Sequence, residues 1–270
     1  MRLEIKDLLH PGTPKSGVVR ENILGFQVES FSYGALIFLF VEIFADMGYY
    51  FESGSKCPLI IDAGSNIGMA LLFFKWLYSN ARVLAFEPED RTFQLLRRNV
   101  ERNRLTDVTL YNKALGDSAG VVPFHYSTGD PSALSMSMRE RSGLDSSTSV
   151  ECAPLSDYIE REVDFLKMDI EGAEQLVISE LDRSGKLKYI REMVIEYHHH
   201  HVGPRDDALS ETLAILQRND FGYQIKSFGR RLFPRGTFQA LLLYAYRKQD
   251  LAATGECCGD RALPLGGGGE

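Results

Sequence analysis

The chain has 270 residues, of which 44% are hydrophobic and 25% charged, and its formal net charge at pH 7 is −7. These values are ordinary for a globular chain that forms one large domain, or one domain with appendages. The acidic balance argues against a protein built chiefly to grip phosphate backbones.

The amino-terminal 58 residues are expected to form a strand and helix segment that packs on a core domain. The first residues, MRLEIKDLLHPG, lack the basic start and apolar middle of a signal peptide. The stretch YGALIFLFVEIFADMGYYF is interrupted by Glu42 and Asp46 well short of a spanning length, so a buried helix is predicted and no membrane span. Four cysteines without zinc-site or secreted-disulfide spacing indicate a reducing, cytoplasmic compartment.

The segment LIIDAGSNIGMALLFF predicts a strand, a tight turn and a helix in succession. The strand is placed at Leu59 to Asp62, and the turn contains Gly64 and Gly68. Ser65 or Asn66 is expected to cap the helix that follows. Together these elements predict a cofactor cradle, with exposed backbone N–H groups and the positive end of a helix dipole.

The chain then alternates between strand-like and helix-like patterns, which indicates a doubly wound, mostly parallel sheet. Strands are predicted at ARVLAFEP, VTLYNKAL, VVPFHY, VECAPL, VDFLKMDI and EMVIEYHHH. Helices are predicted at EDRTFQLLRRNVERNRL, EGAEQLVISELDRSGKL and DDALSETLAILQRNDFG, the last with a glycine stop at Gly222. Residues Ser127–Ser149 are polar and are expected to form a loop.

The last predicted strands, YQIKSF and FQALLLYAYR, have only a turn-rich linker between them, so they predict an antiparallel hairpin. Class I methyltransferases close with such a hairpin, whereas nicotinamide-type Rossmann domains normally end on parallel strands. The predicted fold is therefore α/β, a class I methyltransferase Rossmann-like sheet ending in an antiparallel β-hairpin. The methyltransferase domain is expected to cover residues 59–248, and the glycine-rich residues 249–270 are expected to be a disordered tail.

The glycine pattern is Asp62-x-Gly64-x-Asn66-x-Gly68, which differs from the dinucleotide pattern GxGxxG. An acid before the turn suits a cationic ligand better than a pyrophosphate, and S-adenosylmethionine carries a sulfonium and no phosphate. Glu87 ends the next strand, where a carboxylate can accept hydrogen bonds from two ribose hydroxyls. Acids at strand ends are common, but with the hairpin these features favour S-adenosylmethionine.

Six segments resemble the FkbM-type methyltransferases in their order along the chain, from Phe44 to His198: IIDAGSNIG, VLAFEPEDRTFQLLRRNVERN, NKALGD, APLSDYI, VDFLKMDIEGAEQLVISEL and EMVIEYH. The resemblance implies methyl transfer from S-adenosylmethionine, usually to a hydroxyl oxygen of a sugar or polyketide-type natural product. It implies a set of cofactor-binding residues: Asp62, Gly64, Ser65, Asn66, Gly68, Glu87, Pro88, Asn112, Ala114 and Asp169.

Four residues are expected to serve catalysis: His198, Glu196, Asp169 and Glu171. Because Glu196 and His198 are two apart on a strand, they face the same side. We expect His198 to deprotonate the acceptor and Glu196 to orient its ring, while the following histidines lie in a solvent loop. The same four residues could hold a divalent metal such as Mg²⁺, but this ranks below a metal-free mechanism. Glu174 is interpreted as a helix cap or a solvated acid.

The expected acceptor is a small molecule or glycan, recognised by the segment before Ile60 and by the loop 127–149, and the oligomeric state is left open. One alternative is methylation of a protein or RNA, although the acidic balance and the absence of an NPPY-like motif argue against RNA. Another is a non-catalytic module that binds a partner through the same fold. A nucleotide-dependent oxidoreductase ranks last.

Overall fold

The computed structural model describes residues 18–127, 137–138, 144–199, 208–227 and 239–248. The strands of these residues are β1 Val19–Ile23, β2 Phe26–Ser30, β3 Leu59–Ala63, β4 Arg82–Phe86, β5 Val108–Tyr111, β6 Ala114–Gly116, β7 Gly120–Tyr126, β8 Ser146–Pro154, β9 Val163–Met168, β10 Ile190–His199, β11 Phe221–Ser227 and β12 Gln239–Arg247. The α-helices are α1 Tyr33–Phe40, α2 Met69–Leu77, α3 Asp90–Arg102, α4 Glu174–Arg183 and α5 Leu209–Arg218. Short 3₁₀ turns cover Leu155–Tyr158 and Leu187–Tyr189.

Seven strands form the central sheet in the order β11-β12-β10-β9-β3-β4-β5. Pairing is parallel along the run β10-β9-β3-β4-β5, whereas β12 is antiparallel to both β10 and β11. The predicted α/β fold, with a mostly parallel sheet and an antiparallel carboxyl-terminal hairpin, is confirmed. Smaller sheets are the hairpin β1-β2 and the three-stranded β6-β8-β7.

The central strand β3 is buried at every position because helices cover both faces of the sheet. Leu59 and Ile61 belong to the core cluster that packs beneath α4 and α5. Ile60 points to the opposite face and joins the cluster that contains α1 and the apolar residues of α2. This two-sided packing fixes the strand whose end carries the glycine turn.

The β1-β2 hairpin is tied to α3 by the buried side-chain amide of Asn99. Its Oδ1 accepts from the backbone N–H of Glu29 at 2.8 Å, and its Nδ2 donates to the carbonyls of Glu29 at 3.0 Å and Ile67 at 2.8 Å. The buried Glu29 carboxylate also forms ion pairs with three arginines: Arg20, Arg98 and Arg102. One amide therefore connects the amino-terminal hairpin with the glycine turn.

The expected buried helix after residue 32 is present, but it is shorter and more exposed than predicted. Helix α1 ends at Phe40 and continues as a π-helical turn, Val41–Ala45. Phe38 and Val41 are exposed, because they face away from the core. Within the described residues, no helix combines the length and the apolar character needed to span a membrane.

One predicted strand and one predicted loop need correction. The segment VTLYNKAL is split between β5 of the central sheet and β6 of the three-stranded sheet, because the Asn112 side chain donates to the carbonyls of Glu87 and Pro88 and turns the chain. The expected loop 127–149 ends earlier than predicted, since β8 begins at Ser146 and pairs with β7.

The predicted helix stop at Gly222 is also wrong. Helix α5 ends at Arg218, and Asn219 follows as its cap, with its N–H donating to the carbonyl of Ile215 at 3.2 Å. Gly222 lies in β11 against the ring of Tyr246, where a Cβ atom would approach within 2.6 Å. The predicted tail 249–270 lies outside the described residues, as do His200 and His201.

Candidate active site

A cavity of about 440 Å³ opens at the carboxyl ends of β3, β4, β9 and β10. This volume lies within the range of small-molecule pockets. In open α/β sheets, ligands bind at this edge, where the direction of strand succession reverses. The reversal here falls between β3 and β9. The wall opposite the strand ends comes from α1 and the π-helical turn, through Phe38, Leu39, Glu42 and Ile43.

The glycine turn packs closely against the backbone of neighbouring strands beside the cavity. Gly64 has φ +81°, and a Cβ atom there would lie 1.7 Å from the carbonyl oxygen of Asp169. The N–H groups of Gly64 and Ser65 both donate to the carbonyl of Phe86, at 3.0 and 2.8 Å. Gly64 and Ser65 line the cavity, together with Asn66. A side chain at position 64 would therefore disrupt the turn.

Neither Ser65 nor Asn66 caps α2, so the predicted cap is wrong. The N-cap residue is Gly68 at φ 93°, and no side chain caps the helix. The Ser65 hydroxyl donates to the carbonyl of Asp62 at 2.9 Å, and its own carbonyl accepts from the N–H of Gly68 at 2.8 Å. Gly68 is not a cavity-lining residue, but Met69 at the first position of α2 is.

Glu87 holds the turn to the end of β4 through its carboxylate. Oε2 accepts from the backbone N–H of Asn66 at 2.9 Å, and Oε1 accepts from that of Glu89 at 3.0 Å. The side chain lines the cavity, and burial raises its pKa to about 7. Pro88 and Ala114 also line the cavity, whereas Asn112 stands behind it and supports the Glu87–Pro88 backbone.

Asp62 lies beneath the cavity instead of lining it. Its side chain is fully buried, burial raises its pKa, and neither carboxylate oxygen has a hydrogen-bond partner among the described residues. Oδ1 is 3.4 Å from the Nζ atom of Lys167, which also donates to the carbonyl of Gly64 at 2.5 Å and lies 3.7 Å from Oδ2 of Asp169. Burial alone would lower the pKa of Lys167, but Asp62, Asp169 and Glu196 raise it above its usual value.

Lys167 is a residue of the site that the sequence analysis does not predict. A lysine within the otherwise apolar strand FLKM was the available indication, because a buried lysine requires carboxylate or carbonyl partners. Lys167 lines the cavity and lies 5.4 Å from the ring centroid of the buried Tyr49. The lysine therefore links the turn, Asp62 and the aromatic wall.

The four predicted catalytic residues lie together at the ends of β9 and β10. The buried His198 ring has its Nε2 atom 3.5 Å from Oε2 of Glu171, 4.0 Å from Oδ1 of Asp169 and 4.0 Å from Oε1 of Glu196. All four side chains line the cavity. The structure thus brings the predicted catalytic set to one end of one pocket.

The residue that orients His198 is Glu174, not Glu196. Oε1 of Glu174 lies 2.9 Å from Nδ1 of His198 and accepts from the N–H groups of Gly172 and Ile170, at 3.0 and 3.2 Å. Glu174 is 1% exposed, so its interpretation as a solvated acid is wrong, whereas the two backbone N–H groups that donate to it just before α4 agree with a capping role. The interaction depends on α4 packing behind β10, which no local pattern encodes.

The surroundings of His198 favour its charged form. Burial alone would lower the pKa of the imidazole, but Glu174, Glu171 and Asp169 outweigh burial and raise it well above its usual value. Burial and the charge of Asp169 raise the pKa of Glu196 to about 9. His198 is therefore poorly suited to accept a proton at neutral pH, contrary to the role expected from the sequence.

Asp169, Glu196 and His198 each offer one ligand atom, and these atoms lie within 4.8 Å of one another. Such spacing would admit a divalent cation. A ligating imidazole must first lose its proton from the metal-binding nitrogen, however. The acids around His198 favour its protonated form, so a cation would bind there in exchange for that proton.

Comparison with known proteins identifies the fold family. Residues 62–225, more than half of the chain, match the family described as the methyltransferase FkbM domain. This chain is a member of the FkbM methyltransferase family. The match begins at Asp62 and includes Glu87, Asp169, Glu174 and His198, so it spans the strand ends that form the cavity.

Individual relatives agree with the assignment to FkbM methyltransferases. The methyltransferase sdnD of Sordaria araneosa is 30% identical over 64% of this chain and 80% of its own length. The 31-O-demethyl-FK506 methyltransferase FkbM of Streptomyces tacrolimicus is 28% identical over 73% of this chain and 86% of its own length.

A crystal structure of methyltransferase FkbM from Methylobacillus flagellatus KT supports the fold alone. It superposes with a TM-score of 0.50 and 22% identity, and the match covers 77% of this chain and 48% of that protein. This chain therefore spans about half the length of the solved protein. The predicted class I methyltransferase fold and the predicted family are both confirmed.

Proposed function

We propose that this FkbM methyltransferase transfers a methyl group from S-adenosylmethionine to a hydroxyl oxygen of a small-molecule or glycan acceptor. The observation that carries the proposal is the carboxylate of Glu87, fixed by two backbone N–H groups at the edge of the cavity beside the glycine turn. A carboxylate in this position suits the diol of a ribose, because it can accept two hydrogen bonds at once.

The residues of the cavity fit S-adenosylmethionine. Glu87 would hold the ribose hydroxyls. The turn Gly64–Asn66 lines the cavity, and the absence of a side chain at Gly64 lets this turn pack against the carbonyl of Asp169. The apolar part of the wall near β4 and β6, formed by Phe86, Ala114 and Leu115, suits an aromatic base. When bound, the cofactor supplies an electrophilic methyl group on a positively charged sulfur.

The cluster at the ends of β9 and β10 suits the acceptor end of the cavity. In-line displacement depends mainly on positioning, which is worth about 7–11 kcal/mol, and a positioned base adds about 10²–10⁴-fold in rate. We assign the base to Asp169, with Glu171 beside it, because the raised pKa of Glu196 keeps that side chain protonated at neutral pH. His198, held by Glu174, would place a positive charge 4.0 Å from the carboxylate of Asp169.

The choice of oxygen as the acceptor atom is supported by a relative. The Streptomyces tacrolimicus protein is named as a methyltransferase of a 31-O-demethyl compound, and we extend its O-methyl chemistry to this chain. The net charge of −7 gives no support to a nucleic-acid acceptor. We propose a metal-free reaction.

Calorimetric titration of the purified chain with S-adenosylhomocysteine, with NAD as the control, tests the proposal. Micromolar binding of the first and no binding of the second would support it. Methyl transfer would then be measured with labelled cofactor on a panel of hydroxylated sugars and macrolides. Binding of neither compound would contradict a cofactor site and support the partner-binding module instead.

A further inference from the structure

Glu42 reaches the cavity from a part of the chain that precedes the family match. It lies in the π-helical turn Val41–Ala45, whereas the match begins at residue 62. A π-helical turn shifts the side chains that follow it relative to a regular helix, and such turns are frequent at functional sites. In this turn Ile43 and Phe44 are buried in the core, and Glu42 lines the cavity.

Several contacts hold the backbone of Glu42 in place. Its carbonyl accepts from the N–H of Gly48 at 3.2 Å, and a Cβ atom at Gly48 would lie 2.8 Å from that oxygen. The Tyr244 hydroxyl donates to the carbonyl of Gly48 at 2.7 Å, which connects the turn to β12. Phe44 packs edge-on against Phe73 of α2, with ring centroids 5.2 Å apart. Glu42 is therefore presented by a fixed segment.

The positive charges that face the cavity from the sheet already have carboxylate partners. Lys167 lies beside Asp62 and Asp169, and His198 lies beside Glu174. Within the described part of the chain, Glu42 has no basic side chain within ion-pair distance. Burial and the negative charge of Asp169 raise the pKa of Glu42 to about 7, and the more distant charges of Lys167 and His198 offset this only in part. Glu42 thus resembles a carboxylate whose cation is supplied by a ligand.

We propose that Glu42 makes this cavity selective for the positively charged S-adenosylmethionine over its neutral product S-adenosylhomocysteine. The inference rests on the proposed function, since it assigns the cavity to this cofactor. Methyl transfer breaks the carbon–sulfur bond and forms a carbon–oxygen bond, while the acceptor proton passes to a base. The electron pair left on sulfur converts the sulfonium into a thioether. A carboxylate that this turn presents to the cavity therefore binds the methyl donor more strongly than the product, which favours product release.

Calorimetry on the full chain tests this selectivity without any knowledge of the acceptor. The affinities of S-adenosylmethionine, S-adenosylhomocysteine and sinefungin are compared, because sinefungin carries an ammonium group where the donor carries its methylsulfonium. Glu42→Gln is expected to weaken binding of the two cationic ligands about tenfold, which corresponds to about 1.4 kcal/mol. It should change binding of S-adenosylhomocysteine less than twofold. Glu42→Asp, which keeps the charge, should retain the preference.

Asp46→Asn is the matched control. Asp46 ends the same π-helical turn, is exposed and does not line the cavity, so its removal changes the net charge without changing the wall. It should alter all three affinities less than twofold. If Glu42→Gln does not fold, Glu42→Ala takes its place, with the same expected loss for the two cationic ligands and the same small change for S-adenosylhomocysteine.

Two results would overturn the inference while leaving the proposed function intact. Equal weakening of the charged and neutral ligands by Glu42→Gln would mean that Glu42 acts through shape. Unchanged affinities would mean that it does not face the sulfur. Failure of the wild-type chain to bind any of the three ligands would instead remove the proposed function itself.

Discussion

Nδ1 of His198 and Oε1 of Glu174 lie 2.9 Å apart, and both side chains are buried. The pair joins the end of β10 to the first residue of α4. Burial would raise the pKa of Glu174, but His198 and the N–H of Gly172 lower it below its usual value. Each partner stabilises the charged form of the other, so the pair is a structural element of the site as well as a chemical one.

Glu174→Gln should destabilise the fold by about 3–5 kcal/mol, because it removes the buried carboxylate 2.9 Å from the imidazolium and leaves it only the more distant Glu171 and Asp169. Urea unfolding at pH 7 measures the loss, and titration of the His198 ring by NMR should show its pKa falling. Glu211→Gln, at an exposed acid of α5, should cost less than about 1 kcal/mol. Equal losses in the two variants would contradict the ion pair.

The pH dependence of this effect follows from the direction of each shift. The raised pKa of His198 contributes stability below its ordinary value of 6.5, and this contribution is lost as the pH rises through the raised value. The lowered pKa of Glu174 contributes stability above its ordinary value of 4.5, and this is lost as the pH falls through the lowered value. The difference in unfolding free energy between wild type and Glu174→Gln should therefore be largest between pH 4.5 and pH 6.5, where both contributions are present.

Lys167→Met should also destabilise the fold by about 3–5 kcal/mol, since it leaves the carboxylate of Asp62 buried without its partner at 3.4 Å. Asp62→Asn in the Lys167→Met background should recover part of the loss. A double-mutant cycle from urea unfolding measures the coupling. Additive effects of the two substitutions would show that Asp62 and Lys167 do not stabilise each other.

Glu87→Gln should weaken binding of S-adenosylhomocysteine by about 10- to 100-fold, the usual range for the loss of a charged hydrogen-bond acceptor. Because the pKa of Glu87 is raised to about 7, wild-type affinity should fall as the pH decreases through 7, and the variant should lack this dependence. Calorimetry from pH 5.5 to 8.5 checks both statements. Asp90→Asn, at an exposed acid three residues later, should behave as wild type.

Comparing Gly64→Ala with Gly25→Ala separates the cost of a steric clash from the cost of a positive φ angle. Both glycines have positive φ, +81° and +90°, but a Cβ atom at Gly25 meets nothing within 4 Å. Gly25→Ala should cost about 1–2 kcal/mol from conformation alone. Gly64→Ala should cost about 1–3 kcal/mol more than Gly25→Ala, because its Cβ atom collides with the carbonyl of Asp169. Similar unfolding free energies would refute the close approach.

The parts of the site that depend on local sequence were predictable. The strand ending at Asp62, the turn at Gly64 and the acid Glu87 are encoded by patterns a few residues long, and the final hairpin by two strands without a helix between them. The roles of Glu174 and Lys167 were not predictable, because each depends on a side chain more than 20 residues distant along the chain.

The position of β12 between β10 and β11 determines which piece of this chain can be excised. A fragment with the limits of the family match, 62–225, would lack β12, which is hydrogen-bonded to both neighbours. β11 would then have lost its neighbour, and the edge of β10 would be open to association with other chains. The same fragment would begin inside β3 and omit the hairpin anchored by Asn99. Fusion or crystallisation work on this protein should therefore keep the chain through Arg247.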